Sequence, residues 1–171
     1  MNPKTNTNYI CSQICASLRA KGIKPGEAFR KAGLDTAVPS YFSIMLRYKH
    51  VQAMAEMAGV SVTALISGLT QDSEYSKPLH IAVMDSITHA GKSVCDYIRT
   101  AGYFSKGAMI SGLKYGNITI KNLLRISNSL GISLQQLITD CGCYDARDKN
   151  APQVDNYDLR RMGWLTPTHY T

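Results

Sequence analysis

Residues 91–138 read GKSVCDYIRTAGYFSKGAMISGLKYGNITIKNLLRISNSLGISLQQLI, and the order of small residues in this stretch sets the fold. Ser93 stands where its hydroxyl can accept from the free first-turn amides of a helix running Val94 to Ala101. Gly102 follows where a left-handed residue would close that helix. Ser105 opens a second helix, Lys106 to Tyr115, closed by Gly116. Thr119 opens a third, Ile120 to Leu130, closed by Gly131, and Ser133 opens a fourth at Leu134. This alternation of hydroxyl starts and glycine stops predicts four short helices. On the third, Ile120, Leu123, Leu124, Ser127 and Leu130 fall on one face, which Leu134, Leu137 and Ile138 continue. Helices this short are marginal alone and depend on packing those faces together.

The second of the four is different in kind. Lys106, Gly107, Ser111, Gly112, Lys114 and Tyr115 leave much of its surface polar, small and basic. A helical bundle that turns one such helix outward is the design of a helix-turn-helix reader of DNA.

The chain before it follows the same plan. A helix is predicted over Asn8 to Lys21, with Ile10, Cys11, Ile14 and Leu18 inward and Gly22 at its end. A second runs Gly26 to Ala32, with Pro25 in its first turn and Gly33 closing it. A third runs from Pro39 through Tyr48. Val51 to Ala58 is a short helix closed by Gly59, and Ser61 caps a last one through Leu65 and Ile66. Three fragments recur: RKAGL (30–34) as RTAGY (99–103), LRYK (46–49) as LKYG (113–116), and GVSVTALI (59–66) as GISLQQLI (131–138). Two diverged copies of one helical unit follow from this. The expected organisation is all-α: a first unit over 8–68, a linker over 69–78, a second unit over 79–140 and a C-terminal tail over 141–171. The second unit opens with a helix from His80 to Ala90 that turns Val83, Met84 and Ile87 inward. In the tail, Cys141-Gly142-Cys143 reads as loop, and Trp164 as an anchor that docks the tail on the body or on a partner.

Hydrophobic residues make up 44% of the 171, enough for a folded core. The net charge is +7 and is unevenly placed. Residues 1–139 hold 15 Lys/Arg against 7 Asp/Glu, whereas 140–171 hold 4 against 5. The helical body is therefore the basic part, as a polyanion binder requires. The five cysteines are an odd number, and the opening MNPKTNTN lacks the layout of a secretion signal. Reduced thiols and a cytoplasmic location are the expectation. No apolar run approaches the length of a membrane span. Cys141-x-Cys143 and Cys11-x-x-x-Cys15 do not have zinc-knuckle spacing, so no metal is expected. The histidines are scattered and no nucleophile elbow or phosphate loop is present, so neither an enzyme nor a cofactor is expected.

The second copy resembles the Cro and lambda-repressor-like (XRE) helix-turn-helix proteins. The resemblance is carried by Ser93, by Ala101-Gly102, by ISGLKYG (110–116), by LLRIS (123–127) and above all by LGISLQQLI (130–138). The turn after Gly102 is longer than the family's, Lys114 stands where the family often has Glu, and Val94 where it often has Gln. The resemblance implies two tandem helix-turn-helix bundles that bind double-stranded DNA as a transcriptional regulator of phage or mobile-element type. It implies base or phosphate contacts from Ser93, Ser105, Lys106, Gly107, Met109, Ser111, Lys114 and Tyr115. In the first copy the matching positions are Ser40, Tyr41, Ser43, Ile44, Arg47 and Lys49. One chain with two units could act as a built-in pseudo-dimer, and a homodimer would supply four. The rival readings are a scaffold that binds a protein complex, such as a phage-encoded inhibitor of host defence, and a non-specific DNA or RNA binder.

Overall fold

Apolar residues four apart bury one face of α1 (Thr7–Ala20), where Ile10, Ile14 and Leu18 all lie inside. The computed structural model describes residues 7–34, 46–67, 77–138 and 141–142. Over these the protein is all-α. The first half continues with α2 (Pro25–Lys31), α3 (Tyr48–Ala58) and α4 (Val62–Ser67). The second half contains α5 (Leu79–His89), a 3-10 helix (Val94–Tyr97), α6 (Lys106–Lys114), α7 (Ile120–Leu130) and α8 (Leu134–Ile138). Two-residue strands, β1 (Lys77–Pro78) and β2 (Cys141–Gly142), pair in parallel and join the two ends of the second half. Cys141 is thus a buried strand residue, not the loop residue expected from its sequence. Cys143, the rest of the tail with Trp164, and linker residues 69–76 lie outside the described residues.

The punctuation of the second half is realised as hydrogen bonds. Ser105 Oγ accepts from the Ala108 amide at 3.1 Å, and Thr119 Oγ1 from the Asn122 amide at 3.2 Å. Ser133 and Gln136 cap each other reciprocally, at 3.1 and 2.8 Å. The Ser93 hydroxyl accepts from Cys95 while the Ser93 amide donates to Asp96. The helix there is shorter than expected: a 3-10 turn ends at Tyr97, and turns carry the chain to Gly102.

The two halves repeat one packing scheme. α1 packs on α4 as α5 packs on α8, and α3 meets α4 as α7 meets α8. Ile10, Ile14 and Leu18 correspond to the buried Leu79, Val83 and Ile87, each 69 residues on (79 − 10). From α3 onward the offset is 72 (119 − 47): Arg47 and Thr119 precede the matching helices, and Gly59 and Gly131 end them with φ of 67° and 71°. Three more residues therefore lie between Gly102 and Thr119 than between Gly33 and Arg47. This corrects the repeat at one point. The likeness of LRYK to LKYG is out of register, and the structural counterpart of Arg47 is Thr119.

Those counterparts meet. Leu46 to Tyr48 runs antiparallel to Ile118 to Ile120, with Arg47 opposite Thr119. The Ile120 amide donates to the Leu46 carbonyl at 2.8 Å, and the Tyr48 amide to the Ile118 carbonyl at 3.0 Å. An antiparallel pairing of equivalent residues relates the halves locally by a twofold rotation. α4 also packs against its own counterpart, α8. The Tyr48 hydroxyl, fully buried, donates to the Cys141 carbonyl. Both halves contribute to one continuous apolar core.

Candidate nucleic-acid interface

Met109 and Leu113, four apart, are fully buried and fix the roll of α6. The opposite face is therefore presented outward. Ser105, Gly107, Ala108 and Ser111 are exposed, and Lys106, Lys114 and Tyr115 are half-buried. Nothing lies within 4 Å of the position a Cβ would take on Gly107. Outside surfaces can therefore approach the α6 backbone closely there. Residues 79–138 hold six Lys/Arg (92, 99, 106, 114, 121, 125) and two acids, Asp85 and Asp96, for a net +4. Lys121 and Arg125 are exposed on the face of α7 opposite its buried stripe.

The structure sorts the residues expected at the site. Ser93, Ser105, Gly107 and Ser111 are exposed, and Lys106 is partly so. Met109 is corrected: its side chain is wholly inside the core and serves to anchor α6, so it cannot meet a base. Gly112 lets something approach, but that neighbour is Tyr103 of the same chain. A Cβ on Gly112 would overlap the Tyr103 ring and hydroxyl.

Arg47 is corrected as well. It does not lie on a reading helix of the first half but is the extended residue before α3 (φ −106°, ψ 159°), and Lys49 falls in the first turn of α3. Ser40, Tyr41, Ser43 and Ile44 lie outside the described residues.

Arg47 and Lys49 nevertheless converge on the end of α6. Arg47 Nη1 donates to the Asn117 carbonyl at 3.3 Å, and the Lys49 amide donates to the Gly116 carbonyl at 2.9 Å. Lys114 Nζ stands over the Tyr115 ring, 5.6 Å from its centre. The turn after α6 thus gathers Arg47, Lys49 and Lys114 from both halves. Their field is felt by neighbouring groups. Burial, with Lys49 and Arg47 adding to it, pushes the His50 pKa down to about 4. His80, inside α5, is likewise held down to about 4 by burial and by Lys114. Burial raises the Tyr103 hydroxyl, while the Arg47 guanidinium pulls it the other way.

One surface residue went unnoticed in the sequence. Phe104 is 99% exposed and immediately precedes the cap of α6. Tyr103 turns in over Gly112, and Phe104 is left pointing out.

The cysteines behave as packing residues. Cys11 and Cys15 are partly buried on α1, and burial first, with Cys15 beside it, raises the Cys11 thiol to about 11. Among the described residues no group of His, Cys, Asp or Glu could hold a metal ion. Among them, too, no helix is long and apolar enough to cross a membrane. No known protein family, characterised protein or solved structure matches the chain.

Proposed function

We propose that the chain binds double-stranded DNA in a sequence-dependent way, as a transcriptional regulator built from two XRE-like helix-turn-helix units. The observation that carries this reading is the outward face of α6. It is small and polar, open to backbone approach at Gly107, anchored by Met109 and Leu113, and set in a half with net charge +4. A helix of this kind, capped by Ser105 and preceded by a short helical turn, can lie in a major groove with its first residues at base edges.

Within this reading Ser105, Lys106, Gly107 and Ser111 meet bases. Ser93 meets a phosphate, and Arg47, Lys49 and Lys114 hold the backbone near the local twofold axis. The pairing of Arg47 with Thr119 fixes the two halves as one body, so the second unit is already in place once the first is bound. The two halves are unlike in sequence, so the two elements of the site are unlike as well.

The test is selection of bound duplexes from a random-sequence pool at near-physiological salt. Recovery of an asymmetric two-part motif is expected. Absence of any enriched sequence would sink the reading and turn attention to a protein partner or to non-specific nucleic-acid binding.

A further inference from the structure

Phe104 has no role inside the fold. Its ring is 99% exposed, and its neighbour Tyr103 fills the inward position against Gly112. Tyr103 is half-buried over Gly112, whereas Phe104 and the capping Ser105 after it are both exposed. A polar residue at 104 would leave no apolar surface in water. The stretch that carries Phe104, between Gly102 and Thr119, is also the one where the second half has three residues more than the first.

The surroundings point to the occupant. Phe104 is two residues from Lys106 and adjacent to Tyr103, whose hydroxyl lies within the field of Arg47. The exposed side chains following it on α6 are Ser105, Gly107, Ala108 and Ser111, with no acid among them. An apolar ring two residues before Lys106, in a half with net charge +4 and at the start of a helix with an open small face, suits a polyanion with apolar groups in its groove. In duplex DNA the apolar group of the major groove is the C5-methyl of thymine.

We propose that Phe104 is a specificity-determining residue that packs against a thymine methyl in the major groove, beside the bases met by α6. The inference rests on the DNA-binding reading above. It adds a preference for thymine at one position of the site, set by shape and apolar contact alone.

The experiment uses the full chain and its selected duplex, with uracil replacing thymine one position at a time so that only the methyl is lost. For the unaltered protein, one position is expected to weaken binding about three- to fivefold on loss of its methyl. Phe104→Ala should weaken binding to the thymine duplex by about tenfold and should abolish the difference between thymine and uracil at that position. Because the ring touches nothing inside, the variant should fold and unfold as the parent does. A protein that selects a sequence but shows no such coupling overturns the Phe104 inference alone. Unchanged DNA affinity in Phe104→Ala does the same and leaves the ring to a protein partner. A chain that selects no sequence overturns this inference and the DNA reading together.

Discussion

The helices α3 and α7 are counterparts of equal length, yet they begin by different means. α7 is started largely from within: Thr119 Oγ1 accepts from the Asn122 amide, and the Ile120 amide alone is seen to reach across, to the Leu46 carbonyl. α3 has Arg47 in the same place, and no oxygen there to accept. Its first two amides are satisfied from the other half instead. Tyr48 donates to Ile118 and Lys49 to Gly116, while the Arg47 amide donates to His50 Nδ1 at 3.1 Å. Each half lends hydrogen bonds to the other, but the start of α7 carries a side-chain oxygen cap of its own and the start of α3 does not.

The sharpest way to break this comparison is to separate the halves. The second half, from Lys77 onward, gives up the Ile120–Leu46 and Tyr48–Cys141 bonds but keeps its side-chain caps, its core helices and the β1–β2 pairing, and is expected to retain helical circular dichroism and a cooperative melt. The first half, residues 1–68, loses the partners of Tyr48, Lys49 and Arg47 together with the α4–α8 and α1–α7 contacts. It is expected to show little helix and no cooperative transition. Equal stability of the two pieces would contradict the borrowed start of α3.

Acid should act on both halves through one buried histidine each. His50 and His80 both have folded pKa values of about 4, below the unfolded value of about 6.5. Between these values the unfolded chain binds protons that the folded chain refuses. Stability is thus complete above pH 6.5 and falls as the pH drops toward 4. At His50 protonation also removes the Nδ1 lone pair that receives the Arg47 amide. Denaturant midpoints from pH 7 to 4 should show the loss, and His50→Gln combined with His80→Leu should flatten it. A parent protein equally stable at both ends would refute the buried-neutral assignment.

Two glycines on α6 separate packing from exposure. Gly112→Ala forces the Tyr103 ring to move, and the protein is expected to lose about 1–3 kcal/mol. Gly107→Ala meets nothing and should gain up to about 1 kcal/mol of helix stability while weakening DNA binding, because its site faces outward. Thermal unfolding and DNA titration of the pair check both signs. The smallest effect on DNA binding is expected from Lys114→Ala, because the proposed role of Lys114 is to hold the DNA backbone. Binding should weaken about equally on all sequences, and the salt slope should fall by about one.

The second half was legible because its boundaries are written in single side chains: Ser93, Ser105, Thr119, Ser133 and the glycines after each helix. Helix α1 and its inward residues were legible from spacing alone. The start of α3 was not, since its cause lies 70 residues away in Gly116 to Ile118. The same distance hid the true counterpart of Arg47 and suggested LKYG instead. Met109 was misread because the pattern of α6 offers Met109, Ile110 and Leu113 to the interior, and only packing against α5 decides which turns fully in. Likewise two adjacent aromatics, Tyr103 and Phe104, carry no local mark of which covers Gly112 and which meets solvent.

The central claim is that one chain is a fused pair of unlike DNA-reading units. It is tested most directly by the stoichiometry of the full chain on its selected duplex, measured by sedimentation at concentrations well above the dissociation constant. One chain per duplex, protecting both elements of the site from cleavage, is the predicted result. Two chains per duplex, each covering one element, would contradict it.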